Sequence, residues 1–336
     1  AVNNGTSALF VGLKAMGIQP GDEVIVPTFT FIATVEAIIG CGAVPVLADI
    51  DETLGMDPAS VESKISPRTK AIMPVHMFGA ATRLEPILEI GKKHGIPVVE
   101  DSCEVTGGTY HGKALGTFGL WGAYSFDPNK YVTVGEGGAL VTDDDALYKK
   151  MEYYHDHGHV HRLDIERGDE DKCGLGLNFR MSELEGALGL VALKKMDYAL
   201  GLLRGTKRRV LEGVKDTGLK RRDVPNPDGD IATFIVFLLP TAEAARKFQA
   251  VTKEKGMPVG IIGDNTWHYA RHWKALNELS GRNINGTIAP SYAPETMKKS
   301  DAVLDRAVVY TPPVVCSDET VTKMIDALRA AAKAVL

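Results

Sequence analysis

The sequence predicts an α/β protein, with a mostly parallel central sheet flanked by helices and a smaller α+β domain at its C-terminal side. Three observations carry this. Between Val24 and Thr142, short apolar runs alternate with helical patterns. Strands that are apolar throughout, rather than at every second residue, belong to a sheet covered on both faces. From about Ala199 the pattern changes to a basic helix, a Pro- and Gly-rich stretch and short strands, so a large domain over 1–199 and a small one over 200–336 are expected. The third observation is local. The apolar run Trp121 to Phe126 ends in a Pro-containing turn that carries Lys130, and Gly135-Glu136-Gly137-Gly138 returns the chain into a second run, Ala139 to Thr142. A side chain just past a strand end stands where open α/β sheets bind ligands.

Length and composition allow this architecture. The chain has 336 residues, 44% hydrophobic and 24% charged, enough to bury a large core. A net charge of −5 gives no reason to expect nucleic acid or an acidic membrane surface as partner. No run is apolar for the length of a membrane span, and no signal peptide opens the chain. Cys41, Cys103, Cys173 and Cys316 form no CxxC pair, so reduced thiols and a cytoplasmic location are expected. The first residues run straight into a helical pattern, and an upstream segment is expected to precede them.

Taken in order, Gly5-Thr6-Ser7 opens a helix over Ala8 to Leu13. Small residues at a helix N-terminus suit a phosphate, and Thr6 or Ser7 equally suits an N-cap. Val24 to Val26 is a strand ended by Pro27. Thr28-Phe29-Thr30-Phe31 then leads into a helix to about Ile39. Strands follow at Val44 to Ile50, Ala71 to His76 and Ile96 to Glu100, with helices at Val61 to Ile65 and Leu84 to His94 between them. No GxGxxG follows any strand, which disfavours a dinucleotide site. After the lysine turn, Ala146 to Tyr154 is helical. In His155-Asp156-His157-Gly158-His159-Val160-His161 the histidines alternate, which places them on one face only in a strand. No carboxylate or Cys pattern completes a metal geometry, so a polar, substrate-facing loop is expected and no metal. Arg162 to Lys172 is a charged loop. Ser182 to Met196 is an apolar helix whose Gly186 and Gly189 invite close packing, and Arg204 to Lys215 is a separate basic helix. Thr233 to Leu239 and Val259 to Ile262 are strands, and Ala242 to Lys255 and Val321 to Val335 are helices.

Lys130 and Asp101 sit at two strand ends. An amine and a carboxylate so placed suit a cofactor with a carbonyl at one end and a basic nitrogen at the other, and pyridoxal phosphate is such a cofactor. A surface lysine in a loop is the plain alternative.

Taken together, Val99-Glu100-Asp101-Ser102, Gly116-Thr117-Phe118-Gly119, Tyr124-Ser125-Phe126, Asn129-Lys130, Gly135-Glu136-Gly137-Gly138 and Asn178-Phe179-Arg180-Met181-Ser182 resemble the DegT/DnrJ/EryC1/StrS sugar aminotransferases, which have the type I pyridoxal-phosphate fold. The resemblance runs from Gly5 to about Met196. It implies pyridoxal 5′-phosphate joined to Lys130 as a Schiff base, with pyridoxamine phosphate as the intermediate form. By the same resemblance, Asp101 pairs with the pyridinium nitrogen and Phe31 stacks on the ring. Gly5, Thr6, Ser7 and Ser125 cradle the phosphate. Asn178 reaches the phosphate of a neighbouring subunit, which implies a homodimer with shared sites.

The chain departs from the family pattern at Glu104, where the family usually has Gln. A carboxylate there faces an oxygen that is anionic on the bound cofactor and repels it unless one of the two carries a proton. Val75-His76-Met77, Asp156-His157-Gly158-His159, Trp267-His268-Tyr269 with Trp273, and Lys299-Ser300-Asp301-Ala302 resemble the branch of the family that aminates an 8-keto-3-deoxy-manno-octulosonate (Kdo-type) sugar with L-glutamate as donor. That branch implies His76, His157, His159, Trp267 and His268 as substrate residues, with packing as the alternative for each. Arg180 suits the donor carboxylate or an ion pair next to Glu183. Alternatives are a nucleotide-linked keto sugar, a dehydratase of the same fold, or a non-catalytic binding module. In the dehydratases a histidine replaces the lysine, and a binding module is expected to lose Lys130 or Asp101.

Overall fold

A computed structural model describes residues 1–162, 164–166 and 174–336. The chain begins in helix α1 (Gly5–Ala15), whose N-cap is Asn4 rather than Thr6 or Ser7: the Asn4 carboxamide accepts from the Ser7 amide at 2.7 Å. Strand β1 (Glu23–Pro27) is buried at every residue, as a central parallel strand must be. Helix α2 (Ile32–Gly40), β2 (Val44–Ala48), α3 (Pro58–Lys64), β3 (Thr69–Ile72), α4 (Leu84–His94) and β4 (Glu100–Asp101) complete the expected alternation. Helix α4 stops where Gly95 takes a left-handed φ of 65°.

A hairpin of β5 (Thr109–Tyr110) and β6 (Lys113–Ala114) leads to β7 (Gly122–Ser125) and β8 (Gly138–Val141). The sheet order is β2-β1-β3, then β4-β7-β8, with parallel bridges Ile72–Val98 and Val75–Asp101 joining the two sets. Among these six strands β1–β2, β1–β3 and β4–β7 pair parallel, and β7–β8 antiparallel. The strand expected over Ile96 to Glu100 pairs regularly only at its last residue, because its upstream part meets β3 through a single bridge. Helix α1 lies across β7 and β8. A Cβ at Gly12 would stand 2.8 Å from the Trp121 ring, so the glycine lets helix and sheet approach over the buried indole.

After α5 (Asp145–His155) the expected charged loop falls largely outside the described residues, as does Cys173. The two helices expected over 182–196 and 204–215 are one, α6 (Glu183–Gly213), started by a capping box between Ser182 and Glu185. No Pro interrupts this stretch, so the backbone stays helical throughout. The helix passes through position 200, and Val210 joins the second core. That core lies between α6, α7 (Ala242–Glu254) and α10 on one side and a sheet on the other. The sheet has the order β11-β14-β10-β9, from β9 (Lys220–Arg221), β10 (Ile235–Leu238), β11 (Gly260–Ile261) and β14. Between β11 and β14 come α8 (Lys274–Asn277), the hairpin β12 (Asn283–Ile284) and β13 (Thr287–Ile288), and α9 (Lys298–Leu304). Strand β14 (Ala307–Tyr310) and α10 (Asp318–Val335) end the fold. Residues 267–270 return to the large sheet: Tyr269 bridges Phe29, and the Thr30 amide donates to the His268 carbonyl. No helix among the described residues is long and apolar enough to cross a membrane.

Candidate active site

Strand ends assemble the site. The last residue of β4 is Asp101, buried at 3% exposure. One of its carboxylate oxygens accepts from Thr34 on α2 at 2.7 Å, and the other from the Cys103 amide at 3.1 Å. Thr34 is itself held by Thr30 at 2.6 Å, four residues earlier and just before the helix. The carboxylate is thereby aimed from both sides. Lys130 lies on the turn after β7, where its amide donates to the Asp127 carbonyl. Its Nζ stands 3.6 Å from Glu104 Oε1.

Glu104 is the hub. The Phe78 amide donates to its Oε2 at 3.0 Å, and His268 Nε2 lies 3.3 Å from Oε1. Burial alone raises this carboxyl, but Lys130, His268 and the Phe78 amide outweigh it and hold it down to about 2. Burial likewise lowers the Lys130 amine, and Glu104, Cys103, Asp101 and Asp127 outweigh that, leaving it above the ordinary lysine range. The Cys103 thiol is pushed well up, by burial first and then by Asp101. Phe78 has a left-handed φ of 55°, in a turn pinned by Arg222, whose guanidinium donates to the carbonyls of Met77 (3.0 Å) and Phe78 (2.9 Å).

At the other end of the site, α1 points its N-terminus at Ser125. A Cβ on Gly5 would lie 2.8 Å from Ser125 Cβ, 3.0 Å from its Oγ and 3.2 Å from Cys103 Sγ. The amides of Gly5 and Thr6 begin the helix and have no acceptor within it, no acidic residue stands in the first turn, and the Ser7 amide is taken by Asn4. Two free amides, a hydroxyl and a helix N-terminus make a seat for a phosphate dianion. With Asp101 for a protonated ring nitrogen and Lys130 for a carbonyl, the residues fit pyridoxal phosphate. Phe31 is 40% exposed beside this site, stacked on Trp267 at 6.1 Å and 7° and in contact with His268 at 5.3 Å.

His76 does not line the pocket. It is fully buried, its Nε2 meets Glu100 at 3.0 Å and its Nδ1 accepts from the Thr82 amide at 3.4 Å. Glu100 also accepts from the amides of Gly116, Phe118 and Glu100's neighbour in space Gly119, so this pair anchors a loop to the sheet. Both imidazole nitrogens are occupied, which leaves His76 nothing to offer a sugar. His157, His159 and Arg180 gather near Asp156 instead of Glu104. Arg180 forms an ion pair with the buried Asp156, not with Glu183, and the His159 amide donates to the Asp156 carbonyl. His157 and Asn178 are exposed, and Asn178 bridges Asp156. Thr34, Phe78 and Arg222 were not singled out from sequence. The Thr30–Thr34 spacing is a helical signal that could have pointed to Thr34. Arg222 is 144 residues from Phe78, and nothing local announces it. Among the described residues, no three His, Cys, Asp or Glu side chains converge as a metal site.

A family model described as the DegT/DnrJ/EryC1/StrS aminotransferase family matches residues 1–282. The chain belongs to this family. Pyridoxal 5′-phosphate, held as a Schiff base, comes with membership. The GDP-perosamine synthase of Caulobacter vibrioides is 46% identical over 201 residues, 60% of this chain and 53% of that protein. The UDP-N-acetyl-3-dehydro-alpha-D-glucosamine 3-aminotransferase of Acidithiobacillus ferrooxidans is 41% identical over 189 residues, 55% of this chain and 49% of that protein. The chain thus spans about half the length of these curated relatives. Among solved structures, the aminotransferase from Psychrobacter cryohalolentis superposes with a TM-score of 0.84 at 25% identity, covering 99% of this chain and 87% of that one.

Proposed function

We propose that this DegT-family chain catalyses transamination from L-glutamate to a keto sugar, and that the sugar is carried on a nucleotide. The observation that supports transamination is the convergence of Lys130, Asp101 and the Gly5–Ser125 cradle in one site. When bound, the cofactor supplies an electron sink for charge developing on the carbon next to the nitrogen. The chain's residues do the rest. Asp101 offers its aimed carboxylate to a ring N–H. The helix N-terminus and Ser125 hold the phosphate. Lys130 Nζ takes a proton from the donor's Cα and returns one to the substrate carbon, so that glutamate leaves as 2-oxoglutarate and the ketone becomes an amine.

The nucleotide-linked sugar rests on two relatives, one named for a GDP-linked amino sugar that it makes and one for a UDP-linked keto sugar that it aminates. The Kdo-type free acid rests on motif likeness alone, and one of its residues, His76, sits in the core. Lys130 speaks against a dehydratase, and Lys130 with Asp101 against a binding module. The proposed working unit is a homodimer. Leu184, Leu188 and Val191 recur at i, i+4 and i+7 on α6, and Leu184 is 81% exposed. Asn178 and Arg180 lie exposed just before that helix.

Purified protein incubated with pyridoxal phosphate should absorb near about 420 nm and bleach with glutamate. The amine-loaded protein should then aminate a GDP- or UDP-linked keto sugar in preference to 8-keto-octulosonate. A colourless protein that takes up no cofactor sinks the transaminase reading, and turnover of the free octulosonate alone reverses the substrate order.

A further inference from the structure

The protons around Glu104 can be placed from geometry. Asn265 Oδ1 accepts from the amides of Trp267 (2.9 Å) and His268 (3.0 Å), which identifies that atom as the carboxamide oxygen. The same oxygen lies 3.1 Å from His268 Nδ1. An oxygen cannot donate, so Nδ1 carries a hydrogen. In a neutral ring Nε2 would then present a bare lone pair to Glu104 Oε1 at 3.3 Å, acceptor against acceptor. With Glu104 ionised, a second proton must stand on Nε2. Oε1 therefore lies between two cations, imidazolium on one side and the Lys130 ammonium at 3.6 Å on the other.

We propose that His268, protonated on Nε2, is a positioning residue that shares the Glu104 carboxylate with Lys130 and so weakens its hold on the Lys130 ammonium. The proposal deepens the transaminase reading and rests on it for the use made of the amine. A lone Glu104 beside Lys130 would pin the amine as ammonium, which neither attacks a carbonyl nor takes a proton. A cation on the far side of the carboxylate offsets that attraction. It also answers the departure at Glu104, since a carboxylate already matched by imidazolium presents less net charge to an anionic oxygen nearby. The other charged or titratable groups facing this cluster are Asp101, Cys103, Asp127 and Arg222. Arg222 is committed to the Met77 and Phe78 carbonyls. The test uses Lys130 itself, without cofactor. Acetic anhydride labels only neutral amines, and peptide mass spectrometry compares Lys130 with the exposed Lys92 across pH. His268→Gln keeps a donor but not the charge. Its Lys130 should label about tenfold more slowly than native between about pH 6 and 7, the effect of about one pKa unit. Glu104→Gln should label faster than native, and adding His268→Gln to it should change little. Equal labelling of native and His268→Gln, or an undiminished His268→Gln effect in the Glu104→Gln background, overturns the proposal. Failure of native protein to take up pyridoxal phosphate would overturn the transaminase reading and leave this labelling result standing by itself. If His268→Gln does not fold, slower or unchanged labelling in Glu104→Gln alone overturns the proposal, because the carboxylate would then not be what holds the amine charged.

Discussion

In the proposed reaction Asp101 and Lys130 act only because other side chains aim them. Thr34 and the Cys103 amide hold the two oxygens of Asp101, so a ring N–H would meet a fixed acceptor. Removing the charge with Asp101→Asn should lower turnover by about 10²-fold or more, measured as glutamate-dependent bleaching, while cofactor is still taken up. Lys130→Ala should abolish borohydride trapping of the cofactor on the chain, read by mass spectrometry, and leave non-covalent uptake through the Gly5–Ser125 cradle. Glu104 gives a stability prediction with a definite sign. Its folded carboxyl lies at about 2, below the ordinary 4.5, so its contribution is present above 4.5 and is lost as pH falls through 2. Holding the carboxyl that far down corresponds to roughly 3 kcal/mol. Urea unfolding between pH 4.5 and 2.5 should lose stability more steeply for native protein than for Glu104→Gln.

At the scale of elements, the site depends on how closely α1 can approach the sheet. Gly5→Ala would place a methyl group 2.8 Å from Ser125 Cβ and push the helix N-terminus off its seat. Cofactor affinity should fall at least about tenfold, one seat contact of about 1.4 kcal/mol, in a protein that still unfolds cooperatively. Gly12→Ala would meet the buried Trp121 ring at the same distance on the same helix. There the expected loss is overpacking of about 1–3 kcal/mol in stability, seen as a lower Tm, with the phosphate seat intact. The contrast separates a glycine that serves the ligand from one that serves the core. The strand ends and the Gly-rich return were legible in sequence because apolar runs and turn residues are local signals. The pinning of the Phe78 turn by Arg222 was not, since it joins segments distant along the chain.

At the scale of the whole molecule, α6 ends in the core of the smaller sheet through Val210, and its first half turns an apolar stripe outward. Changing Leu184 and Leu188 together to Asp should convert the proposed dimer to monomer in light scattering after size exclusion. It should lower cofactor retention too if Asn178 reaches a partner's phosphate. A double variant that stays dimeric would locate the interface elsewhere.

The sequence by itself determined the α/β alternation, the position of Lys130 and Asp101 at strand ends, and the family, because each is written in local patterns of apolar, small and turn-forming residues. Only the tertiary structure decided which histidines matter. His76 and His268 look alike in sequence, each one residue from an aromatic or apolar neighbour. Folding buries the first against Glu100 and sets the second 3.3 Å from Glu104. A histidine's role is set by what its two ring nitrogens face, and those partners, Thr82 with Glu100 for one and Asn265 with Glu104 for the other, are brought together only when the sheets close.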